Sequence, residues 1–168
     1  MPNDHLVTLR RRVDAHFADA VERDPDAFRC ASGCAQCCHR RFDVFEVEAQ
    51  PIRAALVVMA REDPALRQTV RDQARAPEHA HHCALLVKDR CSVYEQRPLI
   101  CRSHGLPVAV PEEDELPVSW RELNYPGGDP PRESILLVEA INAPLAVLTE
   151  LDAPAAPRVS LADLAGSV

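Results

Sequence analysis

The sequence predicts a mainly α fold: a small, irregular helical domain with one or two short strands, organised around a Cys-rich site. Three observations predict it. Apolar residues recur at the helical interval, as in Leu6, Leu9, Val13, Phe17 and Val21. Seven cysteines fall in two groups, Cys30, Cys34, Cys37 and Cys38, then Cys83, Cys91 and Cys101. Residues 106–131 hold six prolines and the pair Gly127-Gly128, which predicts an irregular wrap there.

At 168 residues the chain reads as a single domain over 1–151, with its cysteine core at about 26–125 and a loose tail at 152–168. It is 46% hydrophobic but only 4% aromatic, so the core must be largely aliphatic. A net charge of −7 argues against a nucleic-acid binder, which needs a basic face. No secretory apolar region opens the chain, and no apolar run approaches the ~20 residues that span a bilayer. The expected location is therefore cytoplasmic, away from membranes. In a reducing compartment clustered thiols bind metal or do redox chemistry rather than form disulfides, and an odd count leaves one thiol over in any disulfide scheme.

Asn3 or Asp4 caps a first helix expected to run to about Glu22. Asp24-Pro25-Asp26 ends it and caps a second helix carrying the first cysteine group. At about 100° per residue, Cys34, Cys37 and Cys38 would lie roughly 40°, −20° and 80° from Cys30, on one face. Phe42–Val47 alternates briefly and reads as extended. A third helix spans about Val47–Arg61, with Pro51 in its first turn, and Pro64 opens another to about Ala74. Ala76–His82 is a loop. Cys83–Val87 reads as a short buried strand turned by Lys88-Asp89-Arg90. Ser92 and Glu95 have the spacing of a capping box, and Pro98 begins a turn of helix bearing Cys101. The last strong helix is expected at 133–151, with Pro144 inside it and at most a turn at Leu161–Leu164 after it.

The two cysteine groups read as halves of one thiolate metal site. Zinc and iron both favour thiolates, and a tetrahedral zinc takes four donors. On a helix the neighbours Cys37 and Cys38 would diverge by about 100°, which suits two metals or two corners of a cluster better than one ion. Seven thiols exceed one zinc, so the expected centre is polynuclear: about two zinc ions or an iron–sulfur cluster. Excess thiolate charge calls for cations, and Arg29, Arg40, Arg41, Arg90, Arg97 and Arg102 lie beside the cysteines. His39 and His104 are the candidate eighth ligands, ahead of His79, His81 and His82, with solvent as the alternative.

Cys34-Ala-Gln-Cys37-Cys38 and Cys91-Ser-Val-Tyr-Glu-Gln-Arg-Pro-Leu-Ile-Cys101-Arg102 resemble the YkgJ-type cysteine-cluster family, a zinc- or iron-chelating domain. The resemblance covers about residues 30–125. It implies that Cys30, Cys34, Cys37, Cys38, Cys83, Cys91 and Cys101 are metal ligands, and that Tyr94, Arg97 and Arg102 support the site. Members usually offer eight cysteines, and some have a cysteine where Arg121 stands in Trp120-Arg121-Glu122-Leu123-Asn124. That departure leaves one position open. Flagellin lysine N-methylases carry a similar cysteine motif, but nothing here resembles their separate substrate domain.

Two further roles stand beside a structural or metal-carrier one. The first is an iron–sulfur redox or transferase-type enzyme component using an open metal position. The second is a protein partner docked through the Pro-rich 106–131 stretch and helix 133–151. No Ser/His/Asp order, phosphate-binding glycine loop or paired-carboxylate motif supports another chemistry, so the reading leans away from an enzyme.

Overall fold

An amphipathic stripe long enough to be read from sequence folds as expected. The computed structural model, which describes residues 4–30, 33–113, 115–121 and 123–167, places helix α1 at Asp4–Arg23. Asn3, Ala31, Ser32, Glu122 and the His79 side chain lie outside the described residues. Leu6, Leu9 and Val13 are buried on the stripe. Strand β1 is Asp43–Val44, followed by α2 at Glu46–Glu62 and α3 at Pro64–Arg75. Because α2 opens at Glu46, Pro51 falls in its second turn rather than its first. Asp63 caps α3, its carboxylate accepting from the amide of Leu66 at 2.9 Å.

A two-residue hairpin follows, β2 (Leu86–Val87) with β3 (Arg90–Cys91), and then the short helix α4 (Leu99–Ser103). Lys88 and Asp89 have φ of 51° and 59°, the left-handed pair of a type I′ turn. Asp89→Gly is expected to stabilise the protein by about 0.5 kcal/mol, since only glycine adopts that conformation without strain. The urea midpoint reads it, and an unchanged or lower midpoint would show the turn to be unstrained. The expected capping box is absent. The turn at Tyr94–Gln96 has no side-chain cap, and the buried Ser92 hydroxyl bonds to nothing.

Strands β4 (Val108–Ala109), β5 (Val118–Ser119) and β6 (Leu136–Leu137) form a small sheet in the order β5-β4-β6. Helix α5 runs Glu139–Asp152 through Pro144, and β7 (Val159–Ser160) leads into α6 (Leu161–Gly166). The last long helix thus starts six residues later than expected, because Leu136 and Leu137 pair with β4 instead. Mainly α with a few short strands is therefore the observed class.

The helix expected to carry the first cysteine group does not form. Pro25–Ala27 is one 3-10 turn, Phe28 is extended, and Gly33 takes φ of +93°, outside helical space. The amides of Arg29 and Cys30 bond a distant side chain, Asn124, instead of a helical carbonyl. Only Gln36–Cys38 makes another 3-10 turn.

The chain forms two compact units, Met1–Ala31 with Leu99–Leu148, and Ser32–Pro98 with Thr149–Val168. In the first, α1 packs on α4, and Phe28 bridges Phe17 and Tyr125 at ring separations of 5.5 and 5.3 Å. The second has an aliphatic core of Ile52, Leu56, Val70, Leu85, Val93 and Leu164 among others.

The tail is not loose. Strand β7 pairs antiparallel with β1, and the amide of Leu161 donates to Phe42 at 3.0 Å. Leu161, Leu164 and Ala165 of α6 are buried against α2 and α3. Ser160 caps the helix, but six residues are too few to be helical alone, so packing makes it. Among the described residues, no helix is long and apolar enough to cross a membrane.

Candidate metal centre

Two loops of the second unit carry Cys37 and Cys38, and Cys83 and Cys91. In the turn Gln36–Cys38 the amide of Cys38 donates to Ala35 at 2.9 Å, and this tight winding brings the sulfurs of Cys37 and Cys38 within 3.9 Å. The expected divergence of these neighbours is overturned, because it presumed an α-helix. A tetrahedral zinc with Zn–S bonds of about 2.3 Å has an edge of about 3.8 Å between sulfurs. The observed pair therefore suits a single ion.

The second loop is clamped to the first. The amide of Cys83 donates to the carbonyl of Cys38 at 2.7 Å, and β2 and β3 place Cys91 opposite Leu86. Leu86 in turn donates to the Cys83 carbonyl at 3.0 Å, so Cys83 and Cys91 belong to one small hairpin. The thiols of the two loops sense one another. The hydrogen bond with Cys37, then burial, then the charges of Cys37, Cys83 and Cys91 push the Cys38 thiol far above its usual range. Burial pushes Cys83 up to about 11, with Cys91 and Cys37 adding to it and the Leu85 amide opposing. Burial likewise raises Cys91.

Arg97 acts on Cys91 in the other direction, favouring its thiolate. Its guanidinium lies 3.6 Å from the Tyr94 ring centre, and its Nε donates to the Tyr94 carbonyl at 3.1 Å. Tyr94 thus orients the cation beside Cys91. Arg102 pairs with Asp14 of α1, while Arg29, Arg40, Arg41 and Arg90 are exposed. Cys34 is half-buried next to Gly33.

Cys30 and Cys101 belong to the first unit, each half-buried. The Cys30 sulfur accepts from Nδ2 of Asn124 at 3.4 Å. Cys101 sits in α4, and His104 follows it, with Nδ1 donating to the Ile100 carbonyl at 2.6 Å. His39 instead stacks edge-on against His82, their ring centres 4.5 Å apart. Asn124 is not among the residues the sequence marks for the site, because a lone Asn says nothing of burial, and only the fold sets it beside Cys30.

All seven cysteines are free thiols. Among the described residues, no three His, Cys, Asp or Glu side chains stand close enough to hold one ion in this arrangement. The donor chemistry nevertheless fits zinc or iron: the donors are soft sulfurs, Cys37 and Cys38 stand at tetrahedral spacing, and the charge of Arg97 acts on Cys91. Packing alone gives no reason to crowd thiols whose charges oppose one another.

The donor set is that of a cysteine-rich, thiolate-bearing protein. A family model described as "CxxCxxCC: Putative zinc- or iron-chelating domain" matches residues 29–119. The chain belongs to this family, and its cysteine cluster binds metal. No curated protein and no solved structure matches the chain.

Proposed function

We propose that the second unit holds zinc or iron through Cys34, Cys37, Cys38, Cys83 and Cys91, and that Cys30 and Cys101 are thiolate donors of the first. The observation that carries this is the main-chain bond of 2.7 Å from the Cys83 amide to the Cys38 carbonyl, which joins two thiol-bearing loops some forty-five residues apart in sequence, beside the Cys37–Cys38 sulfur pair at 3.9 Å. Without a cation the Cys38, Cys83 and Cys91 thiols resist ionising. A divalent ion turns that repulsion into shared ligation, releasing protons as it binds.

The role is structural or metal-carrying. The ion ties the turn Gln36–Cys38 to the hairpin β2–β3, and half-buried sulfurs leave it open to exchange. The close Cys37–Cys38 pair favours two thiolates on one ion, as in zinc sites and two-iron clusters. A cubane instead takes one cysteine per iron. His104 is the nitrogen donor the geometry supports. Donation from Nδ1 to a carbonyl sets the tautomer that leaves the lone pair on Nε2, as in ligating histidines.

Anaerobic purification followed by elemental and sulfide analysis tests the reading. A colourless protein with about two zinc ions is expected. Brown protein with equimolar iron and acid-labile sulfide would move the assignment to an iron–sulfur centre. Protein without either metal, equally folded in strong chelator, would overturn it.

A further inference from the structure

Asn124 is fully buried, and its amide is saturated by short segments of the first unit. Oδ1 accepts from the amides of Arg29 at 2.9 Å and Cys30 at 3.3 Å. Nδ2 donates to the Gly105 carbonyl at 2.7 Å and to the Cys30 sulfur at 3.4 Å. These four contacts use both acceptor sites and both donors of a carboxamide. The orientation is settled by the partners, since two N–H groups must face oxygen and a carbonyl must face nitrogen.

The surroundings are shaped to this amide. Gly105 has φ of +104°, and a Cβ there would lie 3.3 Å from Nδ2 and 3.2 Å from the Phe17 ring. Glycine lets both the turn and the close approach form. Gly105 adjoins His104 and follows Cys101 by four residues, so Asn124 ties Cys30 to the segment bearing those two donors.

We propose that Asn124 is the positioning residue for Cys30 as a metal ligand, fixing its backbone through Oδ1 and its sulfur through an N–H···S bond from Nδ2. The bond strengthens when sulfur is ionised, because a charged acceptor binds an N–H donor more tightly. It draws charge from the sulfur when that sulfur meets a metal, as outer donors do at metal sites. This inference rests on the reading of Cys30 as a ligand.

The test uses the full chain titrated with cobalt(II), which takes zinc's place and reports thiolate ligation as a charge-transfer band. Asn124→Ala is expected to weaken cobalt binding by about 10- to 100-fold and to move the band to lower energy. In a Cys30→Ser background the same change is expected to alter affinity by less than about threefold, because its effect passes through the Cys30 sulfur. Equal effects in both backgrounds, or an unmoved band, would make Asn124 a packing residue and overturn the inference.

A second measurement needs no variant. In wild-type protein loaded with the spin-half isotope of cadmium, the Asn124 side-chain amide proton is expected to couple to the metal through sulfur. No such coupling overturns the inference even if Asn124→Ala does not fold. The two levels fail differently. Absence of any thiolate–cobalt band in wild type removes the metal reading and this inference with it. A normal band that Cys30→Ser leaves intact removes the inference and Cys30 from the donor set, and leaves the metal reading of the second unit standing.

Discussion

Cys37→Ser is expected to strip metal from the second unit and lower the melting temperature of the metal-loaded protein by more than about 10 °C. Cys37 is the common neighbour: its thiol raises Cys38, Cys83 and Cys91 alike. An ion held by these sulfurs would lose one thiolate ligand in the variant, and serine is a far poorer ligand for a thiophilic metal. The aliphatic core around Ile52 and Leu85 remains, so the variant is expected to stay folded at low temperature.

The metal-free protein is expected to behave in the opposite sense. A thiol whose folded pKa is raised contributes stability below its unfolded value, near 9, and loses it as pH rises through the folded value. For Cys83 that window runs from about 9 to 11, and full ionisation costs about 3 kcal/mol. Removing Cys37 removes one source of the repulsion. Metal-free Cys37→Ser should therefore resist alkaline unfolding better than metal-free wild type, while the loaded proteins rank the other way. Chelator-treated samples melted between pH 8 and pH 11 check this. Identical alkaline profiles would show that Cys37 is not central to the cluster.

Arg67→Ala is expected to destabilise the protein by about 3–5 kcal/mol. Arg67 is only 3% exposed, and its guanidinium donates to the carbonyls of Ala165, at 2.7 Å, and Ser167. Those carbonyls close the last turn of α6, where a cation also meets the negative end of the helix. Burial, followed by the charges of Arg71 and Arg75, lowers the Arg67 pKa, and the two carbonyls offset the cost of burying a guanidinium that stays charged. Alanine leaves both carbonyls bare and opens a gap under the tail. Hydrogen exchange should show residues 161–166 losing protection first. Arg67→Lys should recover part of the loss, since one ammonium lacks the planar fork that reaches two acceptors. Unchanged exchange in α6 after Arg67→Ala would show that apolar packing alone holds the tail.

The long helices were legible because their signals are local. Leu6, Leu9 and Val13 repeat over several turns of α1, and Pro64 behind Asp63 opens α3 where a cap and a fixed φ agree. The Lys88-Asp89 turn was legible for the same reason, since a two-residue reversal is decided by its flanking strands. Three features were not. The cysteine stretch has helical spacing, but Gly33 at positive φ and the pull of Asn124 on two amides unwind it. The capping box at Ser92 has the right letters without the bond. Helix α6 is too short to announce itself, and it exists because a buried arginine and the faces of α2 and α3 hold it.

The sequence by itself determined the donor chemistry: seven thiols in two groups, a family motif across 29–119, and cationic and imidazole side chains close by in the chain. Tertiary structure decided which of these meet. Cys38 meets Cys83 through one main-chain bond, the charge of Arg97 acts on Cys91, and Asn124 reaches Cys30 from ninety-four residues away. The division is physical. Ligand softness belongs to a side chain wherever it stands, whereas proximity between distant segments depends on burial and hydrogen bonds that exist only once the chain has folded.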